Sequence, residues 1–421
     1  MKVIVFGGDG FCGWPTALKL SSSNHEVIIV DNLLRRKIDE ELNVGSLTPI
    51  KSATDRIKKW KTVTGKEIKF HNFDIVKEPK KILELFQSYK PDAIVHFAEQ
   101  RSAPYSMISP LHKSFTINNN LNGTNNILSA IVESRMDIHV IHLGTAGYYG
   151  YSNIGLKIPE GYLRVKVNVD GKDKELQILY PPSPGSIYHL TKCQDALMFQ
   201  FYNKNDNIRI TDLHQGIVWG TQTSETALHE DLVNRFDYDG IFGTVLNRFI
   251  VQSQINHPIT IYGTGGQTRA FIHVQNTADC VKLALENPPS AGEKYRVFNQ
   301  TTECHNIKVL AKKIKKLTNT EIRFYKNQRK EANENSLDFM KEGLKRLGLK
   351  PIYLDDGLVM EIFEVVNKYK DRIDPSKIMS KSLWSKEKVF DSVGKSDTNK
   401  NSVDKEKKRK TSCRLERTYR T

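Results

Sequence analysis

Cysteine pairs are missing from this sequence. Five cysteines occur in 421 residues, at Cys12, Cys193, Cys280, Cys304 and Cys413, with no Cys-x-x-Cys among them. That spacing excludes a zinc ribbon and a small disulfide-stapled fold, and no metal ligand set is expected. Unpaired thiols suit a reducing compartment. Long apolar runs are missing too. No eighteen consecutive apolar residues occur, so no membrane-spanning helix is expected. No basic or Arg/Ser-rich leader precedes Val3, and the first residues already read as a strand. The expectation is a cytoplasmic protein, or an organellar one whose targeting segment was removed.

Acidic charge is the scarcer sign. Lys and Arg number 63 against 48 Asp and Glu, a formal net charge of +15. Such a surplus raises the question of nucleic acid. Part of it has a plainer source. Residues 385–421 hold twelve Lys and Arg against six Asp and Glu, leaving about +9 for the rest. This stretch has no apolar period, and it reads as a disordered, solvated basic tail rather than a nucleic-acid arm.

What is present is a strand–helix alternation. Short apolar strands are expected at 2–6, 27–30, 68–70, 93–97, 139–143 and 208–213. Helices are expected at 14–22, 79–88, 119–134 and 188–202. Unalternating apolar strands between helices imply α/β architecture, a Rossmann-like doubly wound parallel sheet. The expected NAD-binding domain spans 1–220. Within it, alternation at 162–169, the Asp170-Gly171 turn and the apolar Leu176 and Ile178 predict an inserted β-hairpin over 162–179. A smaller α/β substrate domain is expected over 221–384, with helices at 245–255, 306–317, 336–347 and 356–370. Part of it, about 260–280, is expected to return to the Rossmann sheet.

The first turn reads Gly7-Gly8-Asp9-Gly10-Phe11-Cys12-Gly13, directly after a strand and before a helix. Gly7, Gly10 and Gly13 give a tight turn, a close backbone approach to a pyrophosphate and helix–strand packing. Asp31 ends the second strand, where a carboxylate accepts from ribose hydroxyls and repels a 2′-phosphate. NAD is therefore expected, with Arg35 and Arg36 leaving NADP open. Asp74 follows the third strand, within reach of an adenine amino group.

Tyr188 and Lys192 form Tyr-x-x-x-Lys, a spacing that puts both on one helix face. A neighbouring ammonium is expected to lower the phenol's pKa, so that Tyr188 takes a proton from a sugar hydroxyl as hydride leaves. Thr145 lies just past the fifth strand and can bond the same oxygen.

At this point several runs resemble the UDP-sulfoquinovose synthase family of extended short-chain dehydrogenases/reductases. They are Gly7-Gly8-Asp9-Gly10-Phe11-Cys12-Gly13-Trp14, Asp31-Asn32-Leu33-Leu34-Arg35-Arg36 and Glu99-Gln100-Arg101-Ser102-Ala103-Pro104-Tyr105-Ser106-Met107. Thr211-Asp212-Leu213-His214-Gln215-Gly216, Phe242-Gly243-Thr244-Val245-Leu246-Asn247-Arg248-Phe249 and Gly265-Gly266-Gln267-Thr268-Arg269 add to them. The resemblance runs to about Trp384 and stops before the basic stretch.

It implies conversion of UDP-glucose and sulfite, the latter free or from a donor protein, into UDP-sulfoquinovose. Thr145, Tyr188 and Lys192 would serve C4 oxidation, followed by loss of water across C5–C6, sulfite addition at C6 and return of hydride to C4. It also brings Phe11, Cys12, Asn32, Arg35, Ile75 and Asn119 into the expected cofactor site. Arg269 and Arg329 are expected on the diphosphate, Asn247, Gln267 and Gln215 on the sugar nucleotide, and Arg101 on the sugar or sulfite.

Two positions depart from the family pattern. Thr-Met-Gly-Glu-Tyr-Gly is here Thr145-Ala146-Gly147-Tyr148-Tyr149-Gly150, with Tyr148 in the glutamate's place. His214 replaces the asparagine of Leu-Asn-Gln-Gly. Tyr148 and His214 are therefore expected at the substrate, as candidate proton carriers for the dehydration. Another NDP-sugar epimerase or 4,6-dehydratase, and a non-catalytic NAD-binding scaffold, stay open as alternatives. Apolar groups on more than one face of helix 188–202 predict a homodimer.

Overall fold

The structure is a computed structural model that describes residues 1–151, 155–327, 329 and 331–379. The stretch read as a basic tail lies outside the described residues.

The elements run in chain order as β1 (Lys2–Phe6), α1 (Gly13–Ser22), β2 (Glu26–Val30), α2 (Leu34–Leu42), α3 (Ala53–Thr64), β3 (Ile68–His71), α4 (Pro79–Tyr89), β4 (Ala93–His96), α5 (Pro110–Ser134) and β5 (His139–Thr145). There follow β6 (Tyr162–Val169), β7 (Lys172–Leu179), α6 (Ile187–Asp206), β8 (Ile210–Gln215), β9 (Ile217–Trp219), α7 (Val245–Gln254), β10 (Ile259–Tyr262), β11 (Thr268–His273) and α8 (Val274–Glu286). The last are β12 (Arg296–Gln300), β13 (Glu303–Asn306), α9 (Ile307–Thr318), β14 (Ile322–Tyr325), α10 (Glu342–Arg346) and α11 (Asp356–Lys368).

Seven strands form the central sheet in the order β12-β8-β5-β4-β1-β2-β3, all parallel. The order reverses between β1 and β4, and the crevice at the carboxyl ends there is where such sheets bind ligands. Both faces are covered. One core joins Ile4, Phe6 and Ile94 to Phe86, Ile131 and Phe199 of the helices. The other joins Val3, Val5 and Val95 to Trp14, Trp60 and Val281. A third core, around Phe236, Phe249, Phe271, Ile314 and Phe363, lies in the later part of the chain.

Three expectations need correction. The 260–280 stretch does not enter the central sheet. Its strand β11 pairs with β9 and β13 in a separate three-stranded sheet. The strand that does return is β12, in register with β8 from Arg296↔Thr211 to Gln300↔Gln215. The helix expected at 119–134 starts nine residues earlier, because Ser109 caps it through His112 N and Pro110 fits its first turn. The helix expected at 336–347 is only α10, since Leu337 and Phe339 are drawn into the core from extended backbone, with Phe339 bridged to Ile158.

The hairpin of β6 and β7 pairs from Tyr162↔Leu179 to Val169↔Lys172. Its turn residues Asp170 and Gly171 both have positive φ, 52° and 75°, which suits Asp-Gly. Helices α2 and α3 escaped the sequence reading because they are polar and each buries few side chains.

Candidate active site

One cavity of about 450 Å³ opens at the carboxyl edge of the central sheet. Its floor is the turn after β1. Gly7 sits at φ 81°, and a Cβ there would lie 2.6 Å from the Phe97 backbone. A Cβ at Gly13 would collide with the Gly7 carbonyl oxygen. At Gly10 it would meet only that carbonyl, at 3.2 Å, so this glycine leaves the backbone open. Cys12 caps α1 without a side-chain bond, and Gly10, Phe11, Cys12 and Gly13 all line the cavity. Helix N–H groups beside bare backbone fit a pyrophosphate.

At the end of β2, Asp31 Oδ2 accepts from Asp9 N at 2.9 Å and Oδ1 from Leu33 N at 2.7 Å. Burial pushes the Asp31 carboxyl up to about 6 and Asp9 adds to the rise, while the two N–H groups oppose it. Arg36 forks Asp9 at 2.6 and 2.9 Å. Arg35 is held by Asp39 and, at 3.1 Å, by Asp237, with its guanidinium 3.5 Å over the Phe242 ring. Both arginines are thus committed to carboxylates, and neither is set to receive a 2′-phosphate. Asn32, Asp74, Ile75 and Asn119 also line this end. Asp74 Oδ1 accepts from Val76 N at 2.9 Å, and Asn32 Oδ1 accepts from Leu34 N at 2.9 Å.

The expected Thr145, Tyr188 and Lys192 set lies where β5 ends and α6 begins. Ser186 caps α6 by accepting from His189 N, which puts Tyr188 and Lys192 one turn apart on the cavity side. Thr145 ends β5 and accepts from Gly147 N at 3.1 Å. Lys192 Nζ donates to Leu143 O at 2.7 Å and meets Glu99 Oε1 at 2.8 Å. The phenol is not lowered in the protein by itself. Burial, with Glu99, pushes Tyr188 up to about 12, against the charges of Lys192 and Arg101 and a hydrogen bond with Thr145. Sequence spacing shows the ammonium but not the desolvation, and here desolvation is the larger effect.

The far end is basic. Arg269 lines the cavity, bonded to Glu331 and to Thr268 O, with its guanidinium 4.1 Å over Tyr151. Arg329, Gln267 and Arg248 line it too. Gln267 Nε2 donates to Tyr262 O at 3.3 Å. Between the two ends, Arg101 lies 2.6 Å from Asp237 Oδ2, and Gln215 donates to Thr277 Oγ1.

Three of the expected residues do not line the cavity. Tyr148 is 1% exposed and its hydroxyl donates to Tyr180 O at 2.7 Å. The 3-10 turn after Thr145 rotates its ring into the core, against Tyr149 and His214. His214 is buried between Asp212 Oδ2, 3.1 Å away, and the Tyr149 hydroxyl. Strand alternation puts 212 and 214 on one side of β8 and leaves Gln215 to the cavity. Asn247 faces backwards from α7 and donates to Asp237 O, so that the next residue, Arg248, takes the cavity side.

Sequence reasoning missed Arg248, Tyr151, His189 and Glu99. His189 follows Tyr188 and lines the cavity, with Nδ1 3.0 Å from Ser186 Oγ. Burial, aided by Arg329 and Arg269, holds it neutral, down to about 3. A Cβ at Gly147 would collide with its ring. Glu99, His142 and Asp195 have ligand atoms within 4.8 Å of one another, but the Lys192 ammonium already bonds Glu99 and lies 3.0 Å from His142 Nε2. The cluster holds a lysine rather than a metal ion. One signal was legible: ionisable residues interrupt strands that are otherwise apolar.

A strand–glycine turn–helix, a carboxylate ending β2 and a Thr-Tyr-Lys set at the sheet's switch point define an NAD-dependent reductase-type site, and the chain belongs to the NAD dependent epimerase/dehydratase family, whose model matches residues 3–299. The cofactor is NAD. Within that family the chain falls with the UDP-sulfoquinovose synthases. It is 46% identical to the chloroplastic UDP-sulfoquinovose synthase of Spinacia oleracea, over 91% of this chain and 79% of that one. It is 39% identical to UDP-sulfoquinovose synthase of Sulfolobus acidocaldarius, over 92% and 98%. The fold is shared with UDP-glucose 4-epimerase of Thermotoga maritima, solved with UDP-glucose, at a TM-score of 0.65 and 20% identity, covering 87% of this chain and 99% of that one. UDP-glucuronic acid 4-epimerase of Bacillus cereus, solved with UDP-glucuronic acid and NAD, has a TM-score of 0.61 at 20% identity, covering 87% and 99%.

Proposed function

We propose that the chain makes UDP-sulfoquinovose and water from UDP-glucose and sulfite. The supporting observation is the single continuous cavity, with a dinucleotide turn at one end, Arg248, Arg269 and Arg329 at the other, and Thr145, Tyr188 and Lys192 between them. The two ends suit the two diphosphates, which leaves the hexose at the Thr-Tyr-Lys set.

The glycine turn and Asp31 would hold NAD, which would supply reversible hydride transfer at C4. Tyr188 takes the C4 hydroxyl proton, Thr145 bonds the same oxygen, and the Lys192 charge favours the phenolate. The C4 ketone acidifies the C5 proton. That proton and the C6 hydroxyl leave as water, and the sulfite sulfur bonds C6 while C5 regains a proton. Tyr188 returns its proton to the C4 oxygen as hydride comes back. Tyr148 is out of reach for the C5 proton. Burial and the charges of Arg329 and Arg269 weaken the His189 imidazole while the cavity is empty; a UDP diphosphate on the arginines offsets their charge, and His189, on the cavity wall beside Tyr188, is the base we assign to the C5 proton.

We also propose a homodimer through the outer surface of α6. Leu197 and Phe201 on α6 are 53% and 60% exposed, while Phe199 and Ala196 fill the core. Two large apolar side chains one turn apart and left in water on a long helix favour a partner helix.

Tyr188→Phe tests the hydride step. Mixing the NAD-loaded variant with UDP-glucose should form NADH roughly 10²–10⁴-fold more slowly, with NAD content unchanged. Near-normal NADH formation would remove Tyr188 as the base.

A further inference from the structure

The catalytic lysine is backed by a buried row of charges. Glu99 Oε1, 2.8 Å from Lys192 Nζ, is also 3.0 Å from His142 Nε2. His142 Nδ1 is 2.8 Å from Asp212 Oδ1. Asp212 Oδ2 accepts from the Tyr295 hydroxyl at 2.8 Å and lies 3.1 Å from His214 Nε2. The row follows sheet register: His96 on β4 pairs with His142 on β5, which pairs with Asp212 on β8. The Glu99, His142 and Asp212 side chains are each at most 2% exposed.

Packing does not call for this row. Its neighbours on the same strands, Ile94, Val95, Ile141 and Leu213, are apolar and fully buried. Burying charge is costly unless every group is paired, so such a row points to a use beyond the fold.

His142 lies between two carboxylates, Glu99 at Nε2 and Asp212 at Nδ1, an arrangement that favours the charged ring, and Lys192 Nζ approaches Nε2 to 3.0 Å. Against burial and Lys192, Asp212 and Glu99 hold the imidazole charged, up to about 9. Against burial, Lys192 and His142 hold Glu99 ionised, down to about 2. The other groups facing this cluster are quieter. His96 is kept neutral by burial, down to about 3, and Asp195 on α6 is pushed up to about 8 by burial and Glu99. Burial raises the Tyr188 phenol, Lys192 and Arg101 pull it down and Glu99 pushes it up; His142 stands behind that pair, in contact with both Lys192 and Glu99. Lys192 and Glu99 alone would be a neutral pair with little pull on a phenol. His142 restores the positive field, and Asp212 keeps His142 charged.

We propose that Glu99 and His142 are positioning residues for this reaction, an ion pair behind Lys192 that fixes its ammonium and sets the proton affinity of Tyr188. This rests on the reading of Tyr188 as the base.

The test follows NADH formation against pH when UDP-glucose is mixed with NAD-loaded protein. Wild type, Glu99→Gln, His142→Gln, the double variant and Tyr188→Phe are compared. Removing the Glu99 charge should move the acid limb to lower pH. Removing the His142 charge should move it to higher pH, each by on the order of one pH unit. The double variant, which removes opposite charges together, should fold even where a single one does not, and its limb should return toward wild type. Limbs that stay at the wild-type position, or that shift the same way in both single variants, would overturn the proposal. So would a neutral His142 ring at neutral pH in nitrogen NMR of the histidine-labelled wild type, a measurement that needs no variant. If Tyr188→Phe forms NADH normally, the reading of the base fails. If it is inactive while the other limbs stay put, only the ion-pair proposal fails.

Discussion

Asp31 has a backbone N–H on each oxygen, yet burial and Asp9 still hold its carboxyl up near 6. A ribose hydroxyl donates to the charged form and loses that acceptor when the group is protonated. NAD binding should therefore be strongest above this pKa and weaken as pH falls through about 6. Asp31→Asn should flatten the dependence and weaken binding by about 1.5–3 kcal/mol, the range for hydrogen bonds to a charged group. Calorimetric titration with NAD on either side of pH 6 checks this, and affinity that does not change with pH would contradict it. Tyr148 and His189 make a second contrast. Tyr148→Phe leaves the Tyr180 carbonyl without its donor and should cost about 1–3 kcal/mol of stability with turnover nearly intact. His189→Asn should still form NADH from UDP-glucose but stall before sulfite addition. The reverse pattern, measured by thermal unfolding and product analysis, would return the proton role to Tyr148. At this scale the sequence was legible wherever a residue's direction followed from spacing alone, as for Tyr188 and Lys192. It was not where one turn or one helix step decides direction, as for Tyr148, or for Asn247 against Arg248.

The elements were legible in proportion to how much apolar surface they bury. The buried strands and the 162–179 hairpin stand out because their patterns are uninterrupted and their turns carry the residues those turns require. Helices α2 and α3 do not, since their role is to present Arg35, Arg36 and Arg56 to Asp9, Asp39 and Asp237. Strand β12 is short and half polar, and only its register with β8 reveals it as the seventh strand. Helix α6 shows two apolar faces for two reasons. Phe199 and Ala196 pack on the sheet, while Leu197 and Phe201 face outward. Replacing both outward residues with aspartate should leave NAD binding and halve the mass seen by light scattering. A wild-type protein that is already monomeric at micromolar concentration would contradict the dimer.

For the molecule as a whole, fold and cofactor follow from the order of strands and the glycine turn, while the identity of the sugar chemistry rests on how one cavity combines its parts. Hydride transfer at C4 serves epimerases and sulfosugar synthesis alike, so the oxidation machinery does not separate them. What separates them is the fate of C6. The decisive measurement is mass spectrometry of the nucleotide sugar formed when NAD-loaded protein turns over UDP-glucose with isotopically labelled sulfite. The account predicts a UDP-hexose that carries the labelled sulfonate at C6, with no net NADH remaining at the end. UDP-galactose, or a 4-keto-6-deoxy sugar without label, would contradict it.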